Sequence, residues 1–277
     1  MPFDVVPRPQ RFGALVQTDH PASLLEEGAR ERLDEALSRF GVLIFPGLAA
    51  DDALHVALAA MFGDVQTFGA KRIFRSANSD EDGTLLRSDS DKARLLRLNW
   101  LWHADGVYRE RDIRAVLLRA ETTETGCGDT EFADLVAAFD ALPPDLRSRI
   151  ETLSVEYSFE HMILTADVPP VSADERSRLP RAQHALVQTL ADGRRSLRLS
   201  PPYMERVVGW GRDESLALFR ELADVATRPE FLFGHHWSAG DMVAWAIAGR
   251  CTGCFPTTTA GFGAICAGRW CSPERSR

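Results

Sequence analysis

Lysine is nearly absent from this 277-residue chain: only Lys71 and Lys92 stand against thirty arginines. That imbalance, with abundant Ala, Gly and Leu, indicates a gene very rich in G and C. The arginines form no basic run and the net charge is −8, which argues against a nucleic-acid partner. No apolar run approaches membrane length, and Met1-Pro2-Phe3-Asp4 lacks the basic and apolar pattern of a signal peptide. A cytoplasmic protein with no membrane partner is the expectation. Cysteine is scarce over most of the chain, where Cys127 stands alone. The other four, Cys251, Cys254, Cys266 and Cys271, crowd the last 27 residues. Acidic residues show the reverse pattern: none occurs from Met242 to Pro273.

What is present reads as an ordinary globular domain, with 45% hydrophobic and 26% charged residues. Residues 11–17 and 41–46 read as strands, and residues 23–40 and 51–62 as amphipathic helices, with Asp51 or Asp52 as a cap. Residues 76–93 are polar and read as a surface loop. Strands are expected at 98–104, 113–120, 152–158, 196–200 and 230–237, and helices at 132–141, 143–151 and 213–226. A loop-rich insert contains Pro169-Pro170. Ser238–Asp241 reads as a hairpin turn feeding an apolar strand that ends at Trp245. Without repeats or a linker, short strands with peripheral helices suit one jelly roll, mainly β.

The chemistry centres on His103-Ala104-Asp105. On an extended segment, side chains two apart point to one side, so an imidazole and a carboxylate can occupy neighbouring positions on one metal. They are two-thirds of the facial triad that holds non-haem Fe(II) and leaves positions open for co-substrate and dioxygen. A bare H-x-D also arises as a surface His beside a solvated Asp. The stretch Gly126–Asp134 adds a glycine turn and a helix start; Thr130 there is either a carboxylate-binding hydroxyl or, with Asp129, a helix cap. Trp237–Trp245 adds the turn and closing strand.

Those three segments, in that order, resemble the taurine / 2,4-dichlorophenoxyacetate dioxygenase (TauD/TfdA) family of Fe(II)- and 2-oxoglutarate-dependent oxygenases. The resemblance runs from Arg11 to about Trp245. It implies a double-stranded β-helix core, His103 and Asp105 as iron ligands, and Thr130 as a hydrogen-bonding partner of 2-oxoglutarate. It further implies Fe(II) and 2-oxoglutarate as cofactor and co-substrate, and dioxygen and a small organic acid or sulfonate as partners. A homo-oligomer is left open. Cys127 departs from the glycine usual at its place. His235 is a structural residue by the same resemblance.

After Trp245 the pattern fails. The family's distal His belongs at position 252, which is Thr252, and no Arg follows at the distance that would hold the 2-oxoglutarate carboxylate. The expectation is therefore a dioxygenase domain over 1–245 and an aberrant Cys-containing tail over 246–277, with the last strands disrupted and an open sheet edge. Three accounts compete: a zinc site formed by Cys251, Cys254, Cys266 and Cys271; a family member that lost its metal site; and a reading-frame shift after Trp245. The third has an internal check. With one base restored near codon 246, each codon joins the last base of one triplet to the first two of the next. Cys251 (TGY) before Thr252 (ACN) then yields CAC or TAC, His or Tyr, at position 252 whatever the other bases. GC-rich choices elsewhere restore an Arg-rich strand, and shifted GC-rich sequence also yields Cys codons readily. The sequence favours the shift, and little or no turnover by the polypeptide as it stands. The rival class is a non-catalytic pseudoenzyme or a metal-binding or interaction protein using the cysteines.

Overall fold

The computed structural model describes residues 3–9, 12–67, 70–80, 82–123, 128–165 and 172–254. Cys127, Pro169-Pro170, Cys266 and Cys271 lie outside the described residues. The first half contains β1 (Asp4–Pro7), β2 (Ala14–Gln17), α1 (Ala29–Phe40), β3 (Val42–Phe45), α2 (Asp52–Met61), α3 (Asp91–Arg97), β4 (Ala115–Arg119), β5 (Thr130–Asp134) and α4 (Leu135–Asp140). Then follow α5 (Pro144–Ile150), β6 (Ser154–Ser158), α6 (Phe159–Thr165), α7 (Ala173–Ser177), β7 (Arg181–Ala185), β8 (Val187–Thr189) and β9 (Arg195–Leu197). The last elements are β10 (Met204–Val207), α8 (Arg212–Ala226), β11 (Leu232–His235), β12 (Met242–Ala246) and β13 (Arg250–Cys254).

The apolar run 242–246 is continuous because β12 is covered on both faces. It lies between β3 and β4 in a five-stranded sheet ordered β1-β2-β3-β12-β4. Met242, Ala244 and Ala246 pack towards α1 and α2, with Leu33, Leu37 and Leu58. Val243 and Trp245 point the other way, into a larger core with Phe132, Phe233 and Leu135. That second core separates the five-stranded sheet from the sheet β11-β5-β13. A sheet of β10, β6 and β7 and a hairpin of β8 and β9 extend the structure, and α8 packs on β10. The result is mainly β with peripheral helices, the jelly roll expected.

Several local expectations are corrected. Residues 98–104 are not a strand: a 3-10 turn covers Leu98–Trp100, and His103 sits in a short extended link before a turn. The polar stretch 76–93 gives way to α3, capped by Ser90, whose Oγ accepts from Ala93 N at 3.2 Å. The helix expected from 132 begins only at Leu135, because Thr130–Asp134 is strand. Its cap is Asp134, whose Oδ1 accepts from Val136 N and Ala137 N, both at 3.1 Å. The helix expected over 23–40 breaks at Gly28, which has φ 80°.

The open edge after Trp245 is also corrected. β13 pairs antiparallel with β5, setting Arg250 opposite Asp134, Thr252 opposite Phe132 and Cys254 opposite Thr130. Backbone pairing thus continues as far as Cys254.

Candidate active site

His103 and Asp105 reach one place from a link rather than a strand. The imidazole is 9% exposed, and its Nε2 lies 3.9 Å from Asp105 Oδ1. Its Nδ1 donates to the Leu101 carbonyl at 2.7 Å. A carbonyl only accepts, so Nδ1 carries a proton, and Nε2 is the ring nitrogen on the side of the carboxylate. This second hydrogen bond is how metal-ligating imidazoles are commonly oriented. His103 Nε2 and the Asp105 carboxylate are the two groups here that would hold a metal ion.

The link is held from three directions. Ser200, fully buried, accepts from Ala104 N at 2.9 Å and donates back to the Ala104 carbonyl at 3.3 Å. Gly106 follows at φ 72°, and Ile113 occupies the space a side chain there would need. Arg198 grips Asp112 through both Nη atoms, at 2.5 and 3.0 Å, and His184 Nε2 donates to the Arg109 carbonyl at 2.8 Å. Replacing Ser200 by Ala strips two buried backbone groups of their partner. Ser200→Ala is expected to cost about 1–3 kcal/mol of stability in urea denaturation.

Thr130 enters from the opposite sheet, at the start of β5. It is 2% exposed, and its Oγ1 accepts from the indole Nε1 of Trp237 at 3.0 Å. That bond turns the hydroxyl proton away from Trp237. His103, Asp105 and Thr130 all line one cavity of about 710 Å³, with Tyr108, Val116 and Trp245. Burial pushes the Tyr108 and Tyr203 hydroxyls above the usual phenol range, and the Asp105 charge pushes Tyr203 further. Both remain neutral near the carboxylate.

The residues present fit part of an iron site. Imidazole and carboxylate are in place, but position 252, two residues before the partner of Thr130 on β13, holds a Thr. Among the described residues no group of three His, Cys, Asp or Glu is arranged to hold a metal. His235 is engaged elsewhere: its Nε2 lies 3.3 Å from Asp241 Oδ2. Burial alone would raise the Asp241 pKa, but His235 and the N–H groups of Gly47 and Ser238 lower it. This pair fixes the turn into β12.

Sequence reasoning passed over Ser200 and the bond from Trp237 to Thr130. Nothing local marks either contact, since the partners lie 96 and 107 residues away.

A sequence profile described as taurine catabolism dioxygenase TauD, TfdA family matches residues 4–246. The match ends where β12 ends. The (S)-phenoxypropionate/alpha-ketoglutarate-dioxygenase of Sphingobium herbicidovorans is 32% identical over 252 residues, covering 88% of this chain and 86% of that one. The alpha-ketoglutarate-dependent 2,4-dichlorophenoxyacetate dioxygenase of Cupriavidus pinatubonensis is 29% identical over 225 residues, covering 77% and 78%. A crystal structure of AAD-2 in complex with Mn(II) and N-oxalylglycine superposes with a TM-score of 0.85 at 26% identity, over 92% of this chain and 91% of that one. With a profile match across most of its length and a relative above 30% identity, the chain belongs to the TauD/TfdA family of Fe(II)- and 2-oxoglutarate-dependent dioxygenases.

Proposed function

We propose that the cavity holding His103, Asp105 and Thr130 is an iron and 2-oxoglutarate site built to hydroxylate a small organic acid or sulfonate. The observation that carries this reading is the convergence of the three residues, from a link and from the facing sheet, on one cavity. His103 Nε2 and the Asp105 carboxylate would hold the iron, and the Thr130 hydroxyl would donate to a carboxylate of 2-oxoglutarate. Iron with 2-oxoglutarate would supply the activation of dioxygen. Ile73, Val116 and Leu118 offer the substrate an apolar wall, and Arg72 and Arg111 line the same cavity as cations for an acidic group. The two relatives carry small aryloxy acids in their names, which fits that combination.

In the same reading, the polypeptide as it stands turns over little or nothing. It lacks an imidazole at position 252 and the Arg that would pair with 2-oxoglutarate. The family profile also stops at residue 246, beside the point where the proposed frame shift would begin.

The test is succinate formation from 2-oxoglutarate with Fe(II), ascorbate and a panel of aryloxy acids and sulfonates. Background rates are expected. Clear turnover abolished by His103→Ala would uphold the site and refute the inactivity. Zinc at one ion per chain, lost in Cys251→Ser/Cys254→Ser, would instead favour the metal-binding alternative.

A further inference from the structure

Four charged side chains meet just outside the cavity. Arg75 Nη2 donates to both carboxylate oxygens of Asp52, at 2.7 and 2.8 Å, and its Nε donates to Glu121 Oε1 at 3.1 Å. Arg119 donates to the same two carboxylates and, through Nη1, to the Ala50 carbonyl at 2.6 Å. Arg119 is 7% exposed, so the cluster has a buried foot. Its two guanidiniums and two carboxylates balance. The Arg75 guanidinium holds the Asp52 carboxyl below the usual range, and Arg119 adds to the effect.

The cluster joins three walls of the cavity. Asp52 opens α2, which lines the cavity through His55, Val56 and Ala59. Arg119 ends β4 and Glu121 follows it; β4 lines the cavity through Val116 and Leu118. Arg75 belongs to the segment 72–76, whose other members, Arg72, Ile73, Phe74 and Ser76, all line the cavity. None of the four clustered residues lines it. Residues 73–77 belong to no helix or strand, so side-chain contacts carry more of their placement than they do in α2 or β4. Phe74, at 61% exposed, buries little area that would hold the segment.

We propose that Arg75 is a positioning residue of this cavity: clasped by Asp52 and Glu121, it fixes the segment 72–76 against α2 and β4, and so sets how tightly an acidic aromatic ligand is held. The clasp follows from the contacts, while its effect on a ligand rests on the reading of the cavity as an organic-acid site. Arg75 acts through its neighbours Arg72, Ile73 and Phe74, a cation and two apolar side chains suited to an aryl acid. Arg72 enters none of the four pairs, so the cluster does not spend its charge. A two-pronged grip on a carboxylate is geometry that an ammonium cannot reproduce, which makes Arg75 more than a point charge.

Trypsin tests the clasp, because Lys71 and Arg72 place cleavage sites at the start of the segment. A protease needs a stretch of chain to come free, so its rate follows the open population. Cleavage after Lys71 and Arg72 is expected to be about 3–10-fold faster in Arg75→Gln, with Arg75→Lys falling between it and the parent. Asp52→Asn leaves every cleavage site in place and should speed cleavage similarly, and the double variant should add little to either. Raising salt from about 0.05 to about 1 M should narrow the gap between the parent and Arg75→Gln. By calorimetry, phenoxyacetate should bind Arg75→Gln about 3–10-fold more weakly than the parent. Thermal unfolding checks that the variants stay folded. Cleavage at the parent's rate in both Arg75→Gln and Asp52→Asn overturns the clasp. Faster cleavage with undiminished phenoxyacetate affinity overturns the positioning role and leaves the site reading intact. If the parent binds no phenoxyacetate, the organic-acid reading falls, and cleavage alone upholds or overturns the clasp.

Discussion

Restoring one base at the codon for Ala246 is expected to raise iron affinity by at least about 100-fold, since losing even an outer partner of a ligand costs about 10–100-fold. The restored chain carries His or Tyr at position 252 and, with G or C at the open codon positions, Arg residues beyond it. Succinate formation should rise from background into the ordinary enzymatic range, about 1–10³ s⁻¹. The structure gives a reason to expect a working site. β13 already pairs with β5, and its register sets position 252 opposite Phe132, two residues from the partner of Thr130. The strand that would carry the missing ligand is in place, while the side chain at 252 is of the wrong chemistry. A single substitution separates the two losses. Thr252→His should recover iron binding without recovering tight 2-oxoglutarate binding, because the Arg is still absent. A restored-frame protein that binds no more iron than the present chain would refute the frame-shift account.

Arg250→Met should cost about 3–5 kcal/mol of stability, the usual effect of removing one partner from a buried ion pair. Arg250 is 3% exposed and donates through Nη1 to Asp134 Oδ1 at 2.9 Å. Its guanidinium lies over the Phe12 ring, 4.9 Å from the centroid, and the bare backbone of Gly41 leaves it room. The same Asp134 oxygen caps α4, so the pair joins the start of β13 to the end of β5 and the first turn of a helix. Asp134→Asn should cost less, because an amide oxygen still caps the helix. Urea denaturation reads both. A loss under about 1 kcal/mol for Arg250→Met, the range of an exposed pair, would mean that the chain after Trp245 does not pack on β5.

The two experiments bear on different properties of one segment. Residues 250–254 pair with β5 through backbone hydrogen bonds, which any residue but proline supplies. Holding iron needs a particular side chain at one position. A strand can therefore form where a site is incomplete, and β5 has a partner on the side where none was expected.

Much of the framework was legible because it follows from periodicity. The run Val42–Phe45 reads as a buried strand and is one, with all four residues buried. Residues 213–226 show an apolar stripe, and α8 buries it through Leu218, Phe219 and Leu222. The misreadings fall where pattern and tertiary context part. The link at His103 looks extended and apolar in sequence, yet a turn and a 3-10 segment fit it, since Ser200 and Leu101 supply its hydrogen bonds. Thr130 looked like a helix start because Asp134, the true cap, lies only four residues on.

By itself the sequence determined the jelly-roll class, the pairing of His103 with Asp105, the candidacy of Thr130 and the break after Trp245. These are matters of residue type and spacing along the chain. Tertiary structure alone decided that Thr130 and the His103 link face one cavity and that Ser200 clamps that link. It alone decided that Arg250 finds Asp134. Each of these depends on which groups meet across strands far apart in sequence, and spacing carries no record of such meetings.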